Sequence, residues 1–294
     1  MSDTTASLRR KIGSAGDPHS VVRTVKAMAA SSIGQYENAV RSLDDYYRTV
    51  QLGLSACFRQ GAKVGVEIRA EPQEVGTTVA IVFGSDQGLV GQFNGAMADF
   101  VMRTLKDLPG KKVVWTIGER MQAHLAETGL TPGHSFTLPN SIRAITPLVG
   151  QILLEIERKS ERGGIAPVYV FHHRPASGSV YAPVSQRLLP LDQTWQRDLT
   201  AIRWPTKNLP EVMNEKKTTL LAFVHEFLFV SLFRACAESL ASENASRLAA
   251  MQRAEKNIDE LLDDLNRTLH RLRQSGIDEE LFDLVSGFEA LTSK

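Results

Sequence analysis

The sequence predicts an α/β fold in which a central domain with a mainly parallel sheet separates two long helices that pair antiparallel as a coiled coil. Three observations carry this. The chain has 294 residues and 43% apolar composition, enough for a sizeable core. Prolines are absent between Pro18 and Pro72 and again after Pro210, so two proline-free flanks bracket a middle punctuated by Pro and Gly. The flanks show apolar residues in steps of three and four, whereas the middle alternates short β-rich runs with helical ones.

The first flank predicts a helix from about 20 to 58. Val22, Val25, Ala29, Ser32, Tyr36, Ala39, Leu43, Tyr46 and Val50 form its heptad seam. Asp17 and Pro18 read as an N-cap and first-turn pair, and Gly13, Gly16 and Pro18 predict a break from a shorter helix before them. The second flank predicts a helix from about 212 to 275. Its seam starts at Leu220, Phe223, Phe227 and Val230, crosses Arg234, Ala237, Ala241 and Asn244, and resumes at Leu248, Met251, Glu255, Ile258, Leu262, Leu265, Leu269 and Leu272. Gly276 is a weak point, after which helical spacing returns in Ile277, Leu281, Leu284, Phe288 and Leu291.

In the middle, TTVAIVF (77–83), KKVVWTI (111–117), APVYVF (166–171) and VYAPVSQRLLPL (180–191) read as strands. Segments 91–106, 119–127 and 145–161 read as helices. The domain boundaries expected are therefore 1–58 for the first helix, 59–211 for the α/β domain and 212–294 for the second helix.

The helix lengths bear on function. A globule of this size has a diameter of roughly 50 Å, whereas about 64 helical residues extend roughly 95 Å. The second helix is expected to project and to need a partner, which the first supplies. Antiparallel pairing from the domain outward exhausts the first helix at about residue 268 of the second. The last 25 or so residues are then expected to lack a partner within the chain, although they carry Ile277, Leu281, Phe282, Leu284, Val285 and Phe288. An apolar tip of that kind needs another protein around it.

Composition excludes several classes. Lys plus Arg is 34 and Asp plus Glu is 33, which gives no bulk reason for nucleic acid as the main partner. Cys57 and Cys236 are the only cysteines, so neither a disulfide framework nor a cysteine metal cluster is expected. The N-terminal MSDTTASLRRKIG lacks the apolar core of a secretory signal, and the richest apolar stretch, 220–233, is broken by His225 and Glu226 and is too short for a membrane span. Gly84–Gly91 follows a strand and precedes a helix, where phosphate loops sit, but has neither the Gly-Lys-Ser/Thr of a P-loop nor G-x-G-x-x-G spacing. It reads as a tight turn. His172 and His173 would point to opposite faces of a strand and read as a solvated strand end. No nucleophile elbow or His-Glu-x-x-His is present, so no cofactor, metal or catalytic residue is expected.

At this point specific segments can be matched. AESLASENASRLAAMQRAEKN (237–257) and NRTLHRLRQSGIDEELFDLVSGFEAL (266–291) closely resemble the C-terminal helix of the gamma subunit of F-type ATP synthases. RRKIGSAGDPHSVVRTVKAMAASSI (9–33) is similar to that family's N-terminal helix, including Arg23 and the Ala-Ala-Ser at 29–31. SDQGLVGQFN (85–94) resembles its central turn and SQRLLPL (185–191) its late strand.

The resemblance implies a coiled-coil axle with a Rossmann-like α/β foot. It further implies a rotor shaft that turns inside a ring of alpha and beta subunits and rests, with an epsilon subunit, on a membrane ring of c subunits. Carried over by position, Arg273 and Gln274 match the Arg-Gln pair that touches the beta-subunit catch loop. Asp278 and Glu280 fall at further contact positions, Glu243 and Arg247 match an acidic and a basic residue involved in coupling, and Leu281 and Phe288 belong to the enclosed tip. Asp278 stands where Thr is common, and Gln92-Phe93 replaces a usual Gly-Leu. The lack of a dithiol insertion and of a transit peptide suggests a bacterial subunit of a divergent branch, with a likeness to the alternate sodium-translocating type, on the cytoplasmic face of the inner membrane. Two other readings stay open on the residues alone: an α/β nucleotide-binding enzyme that dimerises through its helices, and a coiled-coil adaptor with no motor.

Overall fold

A computed structural model describes residues 4–61, 77–130, 132–163, 167–176, 179–191, 193–208, 210–212 and 215–292. Eleven elements follow in order among them: α1 (Thr5–Arg59), β1 (Thr78–Phe83), α2 (Phe93–Lys106), β2 (Lys112–Ile117), α3 (Glu119–Glu127), β3 (Pro132–Phe136), α4 (Ile142–Gly163), β4 (Val168–Ala176), β5 (Ser179–Leu189), α5 (Gln193–Ala201) and α6 (Lys216–Thr292). The α/β class, the two long helices and the mainly parallel sheet are as the sequence predicts. Contacts divide the chain into two compact units, one of residues 1–29 with 248–294 and one of residues 30–247.

The larger unit is built on a five-stranded sheet of order β3-β2-β1-β4-β5. The first three pairings are parallel and β4–β5 is antiparallel. Strand β1 lies at the centre and all six of its residues are buried. Its alternation assigns the two faces. Val79, Ile81 and Phe83 join a core with Ile145, Val149 and Ile152 of α4 and with residues of α1 and α6. Ala80 and Val82 join Met97, Val101, Met121 and Leu125 of α2 and α3 on the other side. Within this unit α1 and α6 approach closely: a Cβ on Gly53 would stand 2.3 Å from the Phe223 ring, so only glycine fits there. By length and composition α6 has an apolar stretch able to cross a membrane. Leu220, Phe227, Val230, Leu232, Ala235, Ala237 and Leu240 of that helix are buried in this unit, and a core location accounts for their character.

The smaller unit is an antiparallel helix pair. Leu8, Val22 and Ala29 of α1 and Met251 of α6 are buried between the two helices. His19 Nε2 lies 3.2 Å from Asp259, and Arg23 Nε donates to Glu255 at 3.2 Å. Lys26 Nζ meets the other Glu255 oxygen. A carboxylate at a seam position is thus held by two cations at the edge of the pair, which explains how the polar interruption at Glu255 is tolerated.

Several expectations need correction. Helix α1 runs unbroken through Gly13, Gly16 and Pro18, so Asp17 is not an N-cap. Proline inside a helix costs roughly 3 kcal/mol, and burial of Leu8 before it and Val22 after it holds both sides to the partner helix. Likewise α6 continues through Gly276 to Thr292. The seam position given to Tyr46 belongs to Tyr47. Tyr46 is 45% exposed and donates its hydroxyl to Glu226, whereas the Tyr47 ring packs 5.9 Å from that of Phe227. Strand β3 and helix α5 have no counterpart in the sequence expectations, and α4 starts at Ile142 and passes through Pro147.

Candidate functional site

All eight candidate residues lie on α6, but in two groups. Arg273, Gln274, Asp278, Glu280 and Leu281 are exposed in the smaller unit. Phe288 is within α6, and its side chain lies outside the described residues. In the register set by His19–Asp259 and Arg23–Glu255, each step forward on α1 is a step back on α6. Thr4 therefore falls opposite about residue 274, a little beyond the 268 expected. Past that point no described residue faces α6.

The exposed segment is patterned. At about 100° per residue, Ile277, Leu281 and Leu284 fall within an arc of about 60°. They are 51%, 54% and 73% exposed. Arg273 and Glu280 border this stripe on one side, while Gln274 and Asp278 fall between Leu281 and the exposed Val285 and Phe282 on the other. The stripe is not a continuation of the seam: measured from Leu262, Leu265 and Leu269 it is turned by about 90° around the helix. An exposed apolar stripe flanked by charged and amide side chains has the chemistry of a protein contact.

Glu243 and Arg247 belong to the larger unit, where they meet each other. Arg247 donates through Nη2 to Glu243 Oε1 and through Nη1 to Asn244. The Glu243 carboxylate is buried. Burial and the charge of Asp86 raise its pKa, while Arg247 opposes them.

One buried polar cluster of this unit departs from the sequence expectation. His172 and His173 are not a solvated strand end: they are 1% and 0% exposed. They do point to opposite faces of β4. His173 donates from Nε2 to the Phe93 carbonyl at 2.8 Å on the α2 side, with its ring 4.2 Å from that of Phe93 and 4.5 Å from Tyr181. His172 faces α6, and its Nε2 lies 2.8 Å from Glu238 Oε2. A carboxylate only accepts, so His172 carries its proton on Nε2. Arg174 Nε donates to the same oxygen at 2.8 Å and Arg234 Nε to Oε1 at 2.9 Å. Burial alone would raise the Glu238 carboxyl, but the hydrogen bonds from His172, Arg174 and Arg234 outweigh it and bring it to about 2. Burial pushes His172 down and keeps it neutral, against the pull of Glu238. Two signals could have found this hub: Arg174 shares a strand face with His172, and Arg234 stands four residues before Glu238 within an apolar helical run.

The Gly84–Gly91 turn has little left to offer a phosphate. The Ser85 amide donates to Asn94 Oδ1 at 3.0 Å, and Asn94 Nδ2 donates back to Ser85 Oγ. Asp86 caps the start of α3 by accepting from the Glu119 amide at 2.9 Å, occupying that helix N-terminus with a carboxylate of the chain itself. Gly118, at φ 108°, brings α3 so close that a Cβ would stand 2.8 Å from the Ser85 carbonyl oxygen. Ser246 of α6 donates to the Val90 carbonyl. The turn is a packing joint between β1, α2, α3 and α6.

The chain is 27% identical to the ATP synthase gamma chain of Leifsonia xyli over 97% of both chains. It is 26% identical to that of Pseudarthrobacter chlorophenolicus, again over 97% of each. In fold it is similar to a chain of the Euglena gracilis mitochondrial ATP synthase OSCP/F1/c-ring structure, with TM-score 0.66, 16% identity and coverage of 98% of this chain and 94% of that one. It also resembles a chain of the rotor of the same enzyme, with TM-score 0.63 and 14% identity over 93% and 98%. A family model described as ATP synthase matches residues 4–291. With nearly its whole length matched, the chain belongs to the ATP synthase family, as a relative of its gamma chains.

Proposed function

We propose that this chain is the central rotor shaft of an F-type ATP synthase, coupling ion flow through a membrane rotor to ATP synthesis or hydrolysis in a surrounding ring. The observation that supports it most directly is the exposed tip of α6. An apolar stripe on Ile277, Leu281 and Leu284 is exposed past the end of the helix pair, where water disfavours it by roughly 1.5–3 kcal/mol per large side chain. A socket of alpha and beta subunits removes that cost. Apolar contact is non-directional, so a turning tip breaks few specific bonds.

In this reading Arg273 and Gln274, beside the stripe, contact a beta subunit during part of each turn, with Asp278 and Glu280 as further contacts. Glu243 and Arg247 stiffen the shaft through their own pair and act on the ring through that stiffness. The shaft has no active site: its asymmetry takes three beta sites through different nucleotide affinities in turn. The sheet-bearing unit rests with an epsilon subunit on the c ring, at the cytoplasmic face of a bacterial inner membrane. The test is purification of the tagged full-length chain from its own cell. Recovery of alpha, beta, epsilon and c subunits with ATPase activity is expected. Recovery of the chain alone, or with nucleotide bound to it and no ring subunits, would overturn the reading.

A further inference from the structure

On the face of the sheet opposite α2 and α3, the larger unit has a groove to which the proposed function assigns no role. His172 and Arg174 share that face, and cross-strand pairing puts Val184 of β5 opposite His172 and Gln186 opposite Val170. Gln186 therefore points the same way as Arg174. The groove runs between these residues and Tyr47 of α1 with Ser231 and Arg234 of α6.

The arginines are held in an unusual manner. Glu238 binds both by Nε and so fixes the planes of the two guanidinium groups from behind. Arg234 also has Nη1 3.0 Å from Asp44 and lies over the Tyr47 ring. Both η nitrogens of Arg174 and Nη2 of Arg234 have no partner among the described residues. Among the described residues, the lining of the groove contains no carboxylate. The polar side chains that can donate into it are the two guanidinium groups, the Gln186 amide and the Tyr47 hydroxyl.

From this geometry we infer that the groove between Arg174 and Arg234 is a binding site for a small tetrahedral oxyanion of the phosphate class. Donors arrive from β4, β5, α1 and α6, so they approach from several directions. A planar carboxylate would use one guanidinium fork and leave the remaining donors idle, whereas four tetrahedral oxygens accept from all of them. Glu238 acts as the positioning residue, because its grip on both Nε atoms leaves the η ends for the ligand.

Inorganic phosphate is the probe, titrated calorimetrically into the full-length chain at constant ionic strength set with chloride. Saturable one-site binding is expected, with competition by sulfate. Arg174→Gln should weaken it about tenfold or more by removing a charge-assisted donor. Gln186→Glu, which leaves the Glu238 hub intact and places a carboxylate in the groove, should abolish it with an unchanged circular dichroism spectrum. That variant decides the matter if Arg174→Gln fails to fold. A parallel titration with adenosine monophosphate separates free phosphate from a phosphate monoester. No saturable phosphate binding, binding undiminished in Gln186→Glu, or binding of the monoester alone would overturn the assignment.

Discussion

Glu238 sits where three elements meet, and its removal has a calculable effect. Glu238→Ala deletes the acceptor shared by His172, Arg174 and Arg234. His172 is fully enclosed, so its Nε2–H loses its partner with no water to replace it, a cost of about 1–3 kcal/mol. The two arginines retain 48% and 33% side-chain exposure and can turn to solvent, so each adds less than about 1 kcal/mol. Loss of packed methylenes adds about 1 kcal/mol more. The expected destabilisation is about 3 kcal/mol, or a fall of roughly 6 °C in melting temperature for a chain of this length. Asp44→Asn is the control. It removes only the outer partner of Arg234, which is 53% exposed, and should cost less than about 0.5 kcal/mol. Thermal unfolding of the full-length chain at pH 7, followed by circular dichroism, measures both. Equal melting temperatures for the Glu238→Ala and Asp44→Asn chains would refute the hub as a load on the fold.

Other expectations follow from the same structure. Burial drives the His173 pKa down to about 4, below the unfolded value near 6.5. The neutral folded form is therefore fully favoured above pH 6.5, and stability falls between about 6.5 and 4 by up to 1.4 kcal/mol per pH unit, roughly 3 kcal/mol in all. His173→Phe should remove one proton's worth of that slope in urea titrations, and an unchanged slope would contradict the assignment. Arg273→Ala should leave the melting temperature of the free chain unchanged, because the side chain is exposed, while lowering ATP-driven ion pumping of the assembled enzyme. Normal pumping and synthesis would remove the residue from the contact. Amides of residues 277–287 should exchange quickly in the free chain and slowly in the assembled ring. Strong protection in the free chain would mean that the segment packs within it. Cys57 and Cys236 are both free and enclosed, and burial raises both thiols. Neither should react with a thiol reagent until the chain unfolds.

Much of the fold was legible because its signals are local and periodic. The step of three and four through Val22, Ala29, Tyr36 and Val50 determines which side of α1 is buried, and all four are enclosed. It fails only between Tyr46 and Tyr47, where two equal side chains are adjacent and a single step of three or four decides. The buried runs of β1 and β2 were clear for the same reason. Strand β3, with Pro132, Gly133, His134 and Ser135, has no apolar alternation; it exists by backbone pairing with β2 at the sheet edge. In α5 only Leu199 is fully buried, which leaves no stripe to read. The tip was legible as unpartnered because helix lengths can be subtracted. The Glu238 hub was not, because His172 and Glu238 are 66 residues apart and come together only when β4 packs on α6. Pro18 shows the limit of local rules, since tertiary burial on both sides overrides a strong helix breaker.

The quarter-turn between the seam of α6 and its exposed stripe has an evolutionary consequence. Leu262, Leu265 and Leu269 answer to the partner helix, whereas Ile277, Leu281 and Leu284 answer to whatever surrounds them. Because the two sets occupy different sides of one rigid rod and different stretches of its length, a substitution in one set leaves the other's fit intact. On the proposed reading of the tip, its grip on a surrounding partner can drift with that partner while the internal pairing stays under its own selection. A single helix thereby carries two surfaces able to change at different rates, and divergence between related shafts should be greater in one stripe than in the other.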